Sequence, residues 1–73
     1  MTKIDQMLAN IKALRLKLNF KQQWMADQLG ISQNAYSKVE KGYTEITVAR
    51  MLQICALLQT TPEELLREPV KED

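Results

Sequence analysis

The segment from Gln22 to Gly42, which reads QQWMADQLGISQNAYSKVEKG, constrains the fold more than any other part of the chain. Gly30 can take the positive φ that ends a helix, and Ser32 can cap the helix that follows. Ala26 is small enough to let that second helix come close to the first. Apolar residues recur around these positions at helical spacing, namely Met25, Leu29, Ile31, Tyr36 and Val39. The segment predicts two short helices, at about 21–29 and 33–41, crossing at a tight turn. An ordinary helical hairpin in a bundle is the alternative.

The residues before this segment predict a first helix. Apolar residues at three- and four-residue steps form one stripe, made of Ile4, Met7, Leu8, Ile11, Leu14 and Leu18. Asn19 should end the helix, and Phe20 should fill the join to the next one.

The residues after it predict two more helices. Thr47 is the expected N-cap of a fourth helix, whose inward residues should be Val48, Met51, Leu52, Cys55 and Leu58. Thr61, Pro62 and Glu64 have the spacing of a capping box and predict a short fifth helix. The sequence therefore predicts an all-α single domain over residues 1–73, with a frayed end at about 68–73.

Composition removes several classes of function. The 73 residues include no histidine and one cysteine, which excludes a Ser-His-Asp triad, a Cys-His dyad and ordinary zinc sites. There is no Gly-rich phosphate loop either. No run reaches the roughly 18 apolar residues of a membrane span, and no signal peptide is visible at the N-terminus. We expect a cytoplasmic protein that is not an enzyme, needs no cofactor or metal and has no membrane partner.

The net charge of +1 conceals an uneven distribution. Residues 1–41 hold seven basic and three acidic side chains, whereas residues 42–73 hold three basic and six acidic ones. A basic half that contains the two crossing helices suits a surface that grips phosphates from one side. A solvated mixture of charges without a partner is the alternative.

A longer pattern resembles a known family. Residues 11–66 can be aligned with the Cro/cI-like (XRE) repressor-type helix-turn-helix domains, which have a compact five-helix, lambda-repressor-like fold. The residues that carry the resemblance are Leu14-Arg15, Gln22, Ala26, Leu29-Gly30-Ile31-Ser32, Ser37, Val39-Glu40, Gly42, Thr47-Val48, Leu52, Ile54, Leu58 and Pro62-Glu63-Glu64-Leu65. The resemblance implies sequence-specific binding to double-stranded DNA by a recognition helix, at about 33–41, that enters the major groove. It also implies a homodimer on a palindromic operator, acting as a transcriptional repressor.

The resemblance assigns roles to particular residues. The expected base-reading residues on the exposed face of the recognition helix are Gln33, Asn34, Ser37 and Lys38. The expected phosphate contacts are Lys21, Gln22, Lys41 and Tyr43. Gln22 should also brace Gln33. The alternative for the helix face is an ordinary solvated surface, and the alternative for Tyr43 is a ring that packs over the fourth helix.

Arg15 and Glu40 resemble the family's internal ion pair, although they could be two unconnected surface charges. Trp24 is expected to cover the joint between the first two helices or, as the alternative, to contact a partner.

Two positions depart from the family pattern. Lys21 stands where these domains usually place a Thr or Ser N-cap, so that cap should be lost or replaced. Gln59 stands where the fourth helix often ends in Gly, so the backbone at Gln59 should be strained.

The dimer surface is harder to predict. The apolar residues left over after the core is filled are Leu57, Leu66 and Val70, which suggest the fourth and fifth helices. A protein-interaction module of the antitoxin type, which binds a protein partner and autoregulates its operon, is the alternative function.

Overall fold

A computed structural model describes residues 2–67, and this part of the chain folds into five α-helices without a strand. The helices are α1 (Lys3–Lys17), α2 (Gln22–Leu29), α3 (Gln33–Glu40), α4 (Val48–Leu58) and α5 (Pro62–Leu65). The predicted all-α, five-helix arrangement is confirmed. The predicted frayed segment 68–73, with Val70, lies outside the described residues.

Most helices begin at a side-chain cap. Thr2, Ser32, Thr47 and Thr61 each accept a hydrogen bond from the backbone N–H three residues later. Lys21 makes no side-chain cap bond, as its residue type predicts.

The capping box predicted at α5 is only half formed. Glu64 N–H donates to Thr61 Oγ1, but the Glu64 carboxylate lies 3.3 Å from Arg67 Nη1 instead of turning back to the Thr61 N–H. That part of the prediction is wrong, because Arg67 competes for the carboxylate. A complete capping box occurs at Thr2 and Asp5, which the sequence analysis did not predict.

Four helices end through a residue in the left-handed conformation. Asn19, Gly30, Gly42 and Gln59 follow α1, α2, α3 and α4 with φ of 61°, 71°, 79° and 55°. After each of these residues the next N–H bonds back to a carbonyl five residues earlier, as in a Schellman motif. Gln59 therefore holds the strained backbone expected of a non-glycine residue there.

All five helices contribute to one core. Its buried apolar residues are Met7, Leu8, Ile11, Met25, Ala26, Tyr36, Val39, Ile54, Cys55, Leu58 and Leu65. Burial raises the pKa of the Cys55 thiol above its ordinary value.

The predicted inward face of α4 is partly wrong. Val48 and Leu52 are 69% and 52% exposed, whereas Ile54 is fully buried. Leu52 lies about 100° around the helix from Met51, off the face formed by Ile54, Cys55 and Leu58. The ends of the predicted α1 stripe, Ile4 and Leu18, are also exposed, since both lie at ends of the helix.

Asn10 joins the two ends of the described chain. Its side-chain amide donates to the carbonyl oxygens of Leu65 (2.8 Å) and Arg67 (2.7 Å). These bonds satisfy acceptors at the end of α5 and hold it on α1.

Candidate nucleic-acid interface

The turn between α2 and α3 sets the position of α3. Gly30 supplies the left-handed residue that ends α2, and Ser32 Oγ accepts the Ala35 N–H at 3.1 Å to start α3. Met25, Ala26 and Tyr36 are fully buried, so the two helices are locked together by packing. These residues give α3 a fixed orientation on the rest of the molecule.

The helix α3 has a buried face and an open face. Tyr36, Val39 and Glu40 are buried. Gln33, Asn34 and Lys38 are exposed, while Ser37 is half-buried. Three of the four predicted base-reading residues are therefore open to a ligand, and Ser37 is open in part.

The predicted phosphate contacts differ in their surroundings. Lys21 and Lys41 are exposed, at the N-cap of α2 and the C-cap of α3. Tyr43 is 78% exposed, so its ring does not pack over α4 and that alternative is wrong.

Gln22 is half-buried, and its Nε2 donates to Glu40 Oε1 at 3.4 Å. The predicted brace to Gln33 is not formed within the described part of the chain, because the Gln22 amide is directed toward Glu40.

The structure brings Arg15 and Glu40 together in a buried ion pair. Arg15 Nε donates to Glu40 Oε2, and Arg15 Nη2 donates to Glu40 Oε1, both at 2.9 Å. Arg15 Nη1 donates to the Phe20 carbonyl at 2.9 Å. The two side chains are only 7% and 3% exposed, so the pair joins α1 to the end of α3 inside the protein. They are not unconnected surface charges.

The ion pair controls the ionisation of the groups around it. Burial disfavours the Glu40 carboxylate, but the hydrogen bonds and charge of Arg15 outweigh it and hold the pKa of Glu40 below its ordinary value. The bond to Glu40 likewise raises the pKa of Arg15. Burial raises the pKa of Tyr36. The Tyr36 hydroxyl itself is buried without a hydrogen-bond partner among residues 2–67.

Trp24 lies over the joint between α1 and α2. Its ring stacks on Phe20, with the ring centroids 4.3 Å apart and the planes inclined at 30°. Phe20 belongs to the turn between the helices, so the stack covers that turn and supports the start of α2.

The sequence analysis assigned no role to Arg50. Arg50 Nη1 donates to the Leu29 carbonyl at 3.4 Å and to Gln53 Oε1 at 3.0 Å. It also lines a cleft of about 520 Å³ beside Asn34 and Lys38. Its charge alone gave no signal, since the Leu29 carbonyl and the α3 side of the cleft are distant in sequence.

Within residues 2–67, no helix is long and apolar enough to cross a membrane, and no group of acidic, cysteine or histidine side chains is arranged to hold a metal ion.

Comparison with known proteins identifies the family. The family model for the helix-turn-helix matches residues 11–65. The HTH-type transcriptional regulator AnsR of Bacillus subtilis (strain 168) is 36% identical over 66 residues. The match covers 89% of this chain and 57% of that regulator, so the chain spans little more than half of its relative's length. No solved structure gives a significant match. The chain belongs to the Cro/cI-like (XRE) helix-turn-helix family, the members of which are DNA-binding transcriptional regulators.

Proposed function

We propose that this protein is a sequence-specific, dimeric DNA-binding transcriptional repressor. The observation that carries the proposal is the open polar face of α3, whose opposite face packs on α2 through the fully buried Met25, Ala26 and Tyr36. A firmly packed helix that presents amide and ammonium groups is the element that reads base edges in the major groove.

Different side chains on α3 suit different bases. Gln33 and Asn34 stand in the first turn and can each form a bidentate pair with adenine N6 and N7. Lys38 can donate to guanine O6 or N7, and the partly covered Ser37 can bond either base. These four residues are the proposed readers.

A second group of residues grips the backbone. Lys21 and Lys41 supply charge for phosphates, and the Tyr43 hydroxyl can donate to another phosphate. Gln22 can donate a second amide proton to a phosphate while it remains bonded to Glu40. Phosphate contacts set the register of the protein on DNA and give no base preference.

The burial of the apolar residues of α4 and α5 suggests a different dimer surface from the one expected from the sequence. Leu57 is half-buried against the core, whereas Leu66 is exposed together with Val48, Leu52 and Ile4. We place the homodimer contact on this apolar surface of α1, α4 and α5. Val48→Glu should shift the sedimentation coefficient from dimer to monomer and weaken binding to a full palindrome more than to a half-site.

The same apolar surface keeps the antitoxin alternative open, because a protein partner could occupy it. Sedimentation of the purified chain distinguishes the two. A monomer that binds a palindrome no better than a half-site would favour the protein-partner function. The absence of enzymatic activity and the cytoplasmic location both stay predictions.

The main test separates base reading from phosphate binding. DNA bound by the protein is selected from a random pool, and variants are measured on an operator series with single base-pair changes. Gln33→Ala should cost about 1 to 3 kcal/mol on the preferred operator and relax preference at one symmetric pair of positions. Lys41→Ala should weaken binding to all sequences alike and make the salt slope shallower by about one.

Both variants should fold, because both side chains are exposed. A uniform loss across the series for Gln33→Ala would move the reading role to Asn34 or Ser37. If wild-type binding to duplex DNA did not respond to salt, the DNA-binding function would be wrong.

A further inference from the structure

The short helix α5 depends on contacts with the rest of the molecule. It has four residues, Pro62–Leu65, whereas an isolated helix needs about 12 to 15 residues to be stable in water. Leu65 is buried in the core, and Thr61 caps the first turn. The carbonyl groups at the other end have no later turn of the helix to bond to them. Asn10 of α1 supplies donors there.

The Asn10 amide holds the backbone on both sides of Leu66. Its Nδ2 donates to the Leu65 carbonyl at 2.8 Å and to the Arg67 carbonyl at 2.7 Å, so both of its protons are used. The Leu66 N–H in turn donates to two carbonyls of α5, at 3.1 and 3.2 Å. The main chain around Leu66 is therefore bonded to α1 as well as to α5.

Leu66 brings this constraint to the apolar surface of α1, α4 and α5. Its side chain is 38% exposed and lines a cleft of about 240 Å³ on that surface. Other walls of the cleft are formed by Ile4 of α1, by the loop residue Ile46, and by Val48 and Met51 of α4. Among residues 2–67, no charged side chain lines this cleft. A two-fold contact places the same surface on both sides, and an uncharged surface does not repel its own copy.

Asn10 lies outside this cleft. It lines a separate one, with Ala13 and Lys17 of α1 and Glu64 of α5. A second copy of the chain on the apolar surface would meet Leu66 and not Asn10. Any effect of Asn10 on that contact must pass through the backbone at the end of α5.

We propose that Asn10 is a positioning residue for the homodimer: by fixing the backbone around Leu66, it sets the α5 side of the apolar surface that a second copy of the chain covers. The proposal rests on the proposed homodimer and adds the residue that orders its contact. Association costs less when the groups at the contact are already held in place. Without the two Asn10 bonds, ordering the end of α5 becomes part of the cost of association.

The first test measures the dimer dissociation constant by sedimentation equilibrium. Asn10→Asp is isosteric and replaces the donor with a second oxygen, whereas Asn10→Leu removes the donor without adding a charge. Both should raise the dissociation constant about tenfold or more, since each of the two protomers loses hydrogen bonds of ordinary strength. Asn10→Gln keeps an amide donor and should lose less. The control is Gln28→Glu, which adds the same charge at an exposed amide of α2 and should leave the constant unchanged.

Binding to a half-site of the operator distinguishes positioning from general stability. The joint that holds α3 is made of Met25, Ala26 and Tyr36 and does not include Asn10. Asn10→Asp should therefore weaken binding to a full palindrome and leave binding to a half-site within about twofold of wild type. An equal loss on both DNAs, or failure of both Asn10→Asp and Asn10→Leu to fold, would make Asn10 a residue of general stability and overturn the proposal.

A double-mutant cycle with Leu66→Ala tests whether Asn10 acts through Leu66. Asn10→Asp should raise the dissociation constant of the wild-type dimer and have little further effect when Leu66 is already Ala. Equal fold-changes in the two backgrounds would overturn the positioning role.

The failure of the homodimer itself gives a different result. A wild type that stays monomeric in sedimentation and binds a palindrome no better than a half-site would overturn the homodimer, and the role of Asn10 with it. A wild-type dimer that does not respond to Asn10→Asp would overturn the role of Asn10 alone.

Discussion

Two arginines flank α3 in opposite electrostatic environments. At the end of α3, Arg15 is buried and gives two hydrogen bonds to Glu40 and one to the Phe20 carbonyl. Beside the start of α3, Arg50 is half-buried and meets only neutral acceptors at hydrogen-bond distance in the described structure. The first guanidinium is neutralised inside the protein, and the second has no carboxylate partner among residues 2–67.

The difference separates orientation from binding. A buried pair gains little net stability, because desolvation offsets much of its attraction, but leaving one partner alone is costly. Arg15 and Glu40 therefore fix α3 relative to α1 and have no charge left for a ligand. Arg50 keeps its charge at the surface of a cleft and can attract an anion. The following four predictions test this contrast.

The largest effect should come from breaking the buried pair. Arg15→Met or Glu40→Gln should each lower the free energy of unfolding by about 3 kcal/mol, because each leaves a buried polar or charged partner unsatisfied. The double variant should lose less than the sum of the two single losses, with a coupling of about 0.5 to 3 kcal/mol. Urea unfolding of the four proteins measures the cycle. Additive losses would show that the two side chains have no interaction energy.

The pair should also make the free energy of unfolding depend on pH in the acid range. Because the pKa of Glu40 is lower in the folded protein, its contribution is fully present above its unfolded pKa of about 4.3 and is lost as the pH falls through the folded value. Urea unfolding between pH 7 and pH 2 should show this loss for wild type and a weaker one for Glu40→Gln. The control is Glu45→Gln, which changes an exposed carboxylate outside the pair. Equal acid dependence of wild type and Glu40→Gln would contradict the prediction.

Removing the other arginine should cost far less stability. Arg50→Met should lower the free energy of unfolding by about 1 kcal/mol, the value of a typical hydrogen bond to a neutral acceptor. Gln53→Ala, which removes the Gln53 acceptor alone, is the matched control. If urea unfolding showed a loss as large as that of Arg15→Met, the contrast between the two arginines would disappear.

The smallest effect should come from Tyr36, next to the buried pair. Its hydroxyl is buried without a hydrogen-bond partner in the part of the chain described, so Tyr36→Phe should change the free energy of unfolding by about 0.5 kcal/mol or less. Thermal and urea unfolding of wild type and Tyr36→Phe give the value. A loss above about 1 kcal/mol would show that the hydroxyl bonds to Glu40 and belongs to the pair.

Local signals in the sequence were the most reliable. Ser32, Thr47 and Thr61 cap helices as predicted, and Gly30 and Gly42 are left-handed. A cap bonds an amide three residues away, so its partner is fixed by the chain itself. The missing cap at Lys21 was predictable for the same reason.

Periodicity was less reliable for the burial of individual side chains. It placed Val48 and Leu52 inside, but both are exposed, Val48 at the start of α4 and Leu52 off the face that packs on the core. An apolar pattern gives the direction of a side chain and does not show whether another helix is present to cover it.

The sequence by itself determined the helices, their caps and turns, and the polar face of α3, because each depends on residues within a few positions of one another. The tertiary structure alone decided which distant groups meet. Asn10 bonds carbonyls 55 and 57 residues away, and Arg50 reaches one 21 residues back. The physical reason is that a side chain acquires its partners, its burial and its remaining free donors only when packing brings separate helices together.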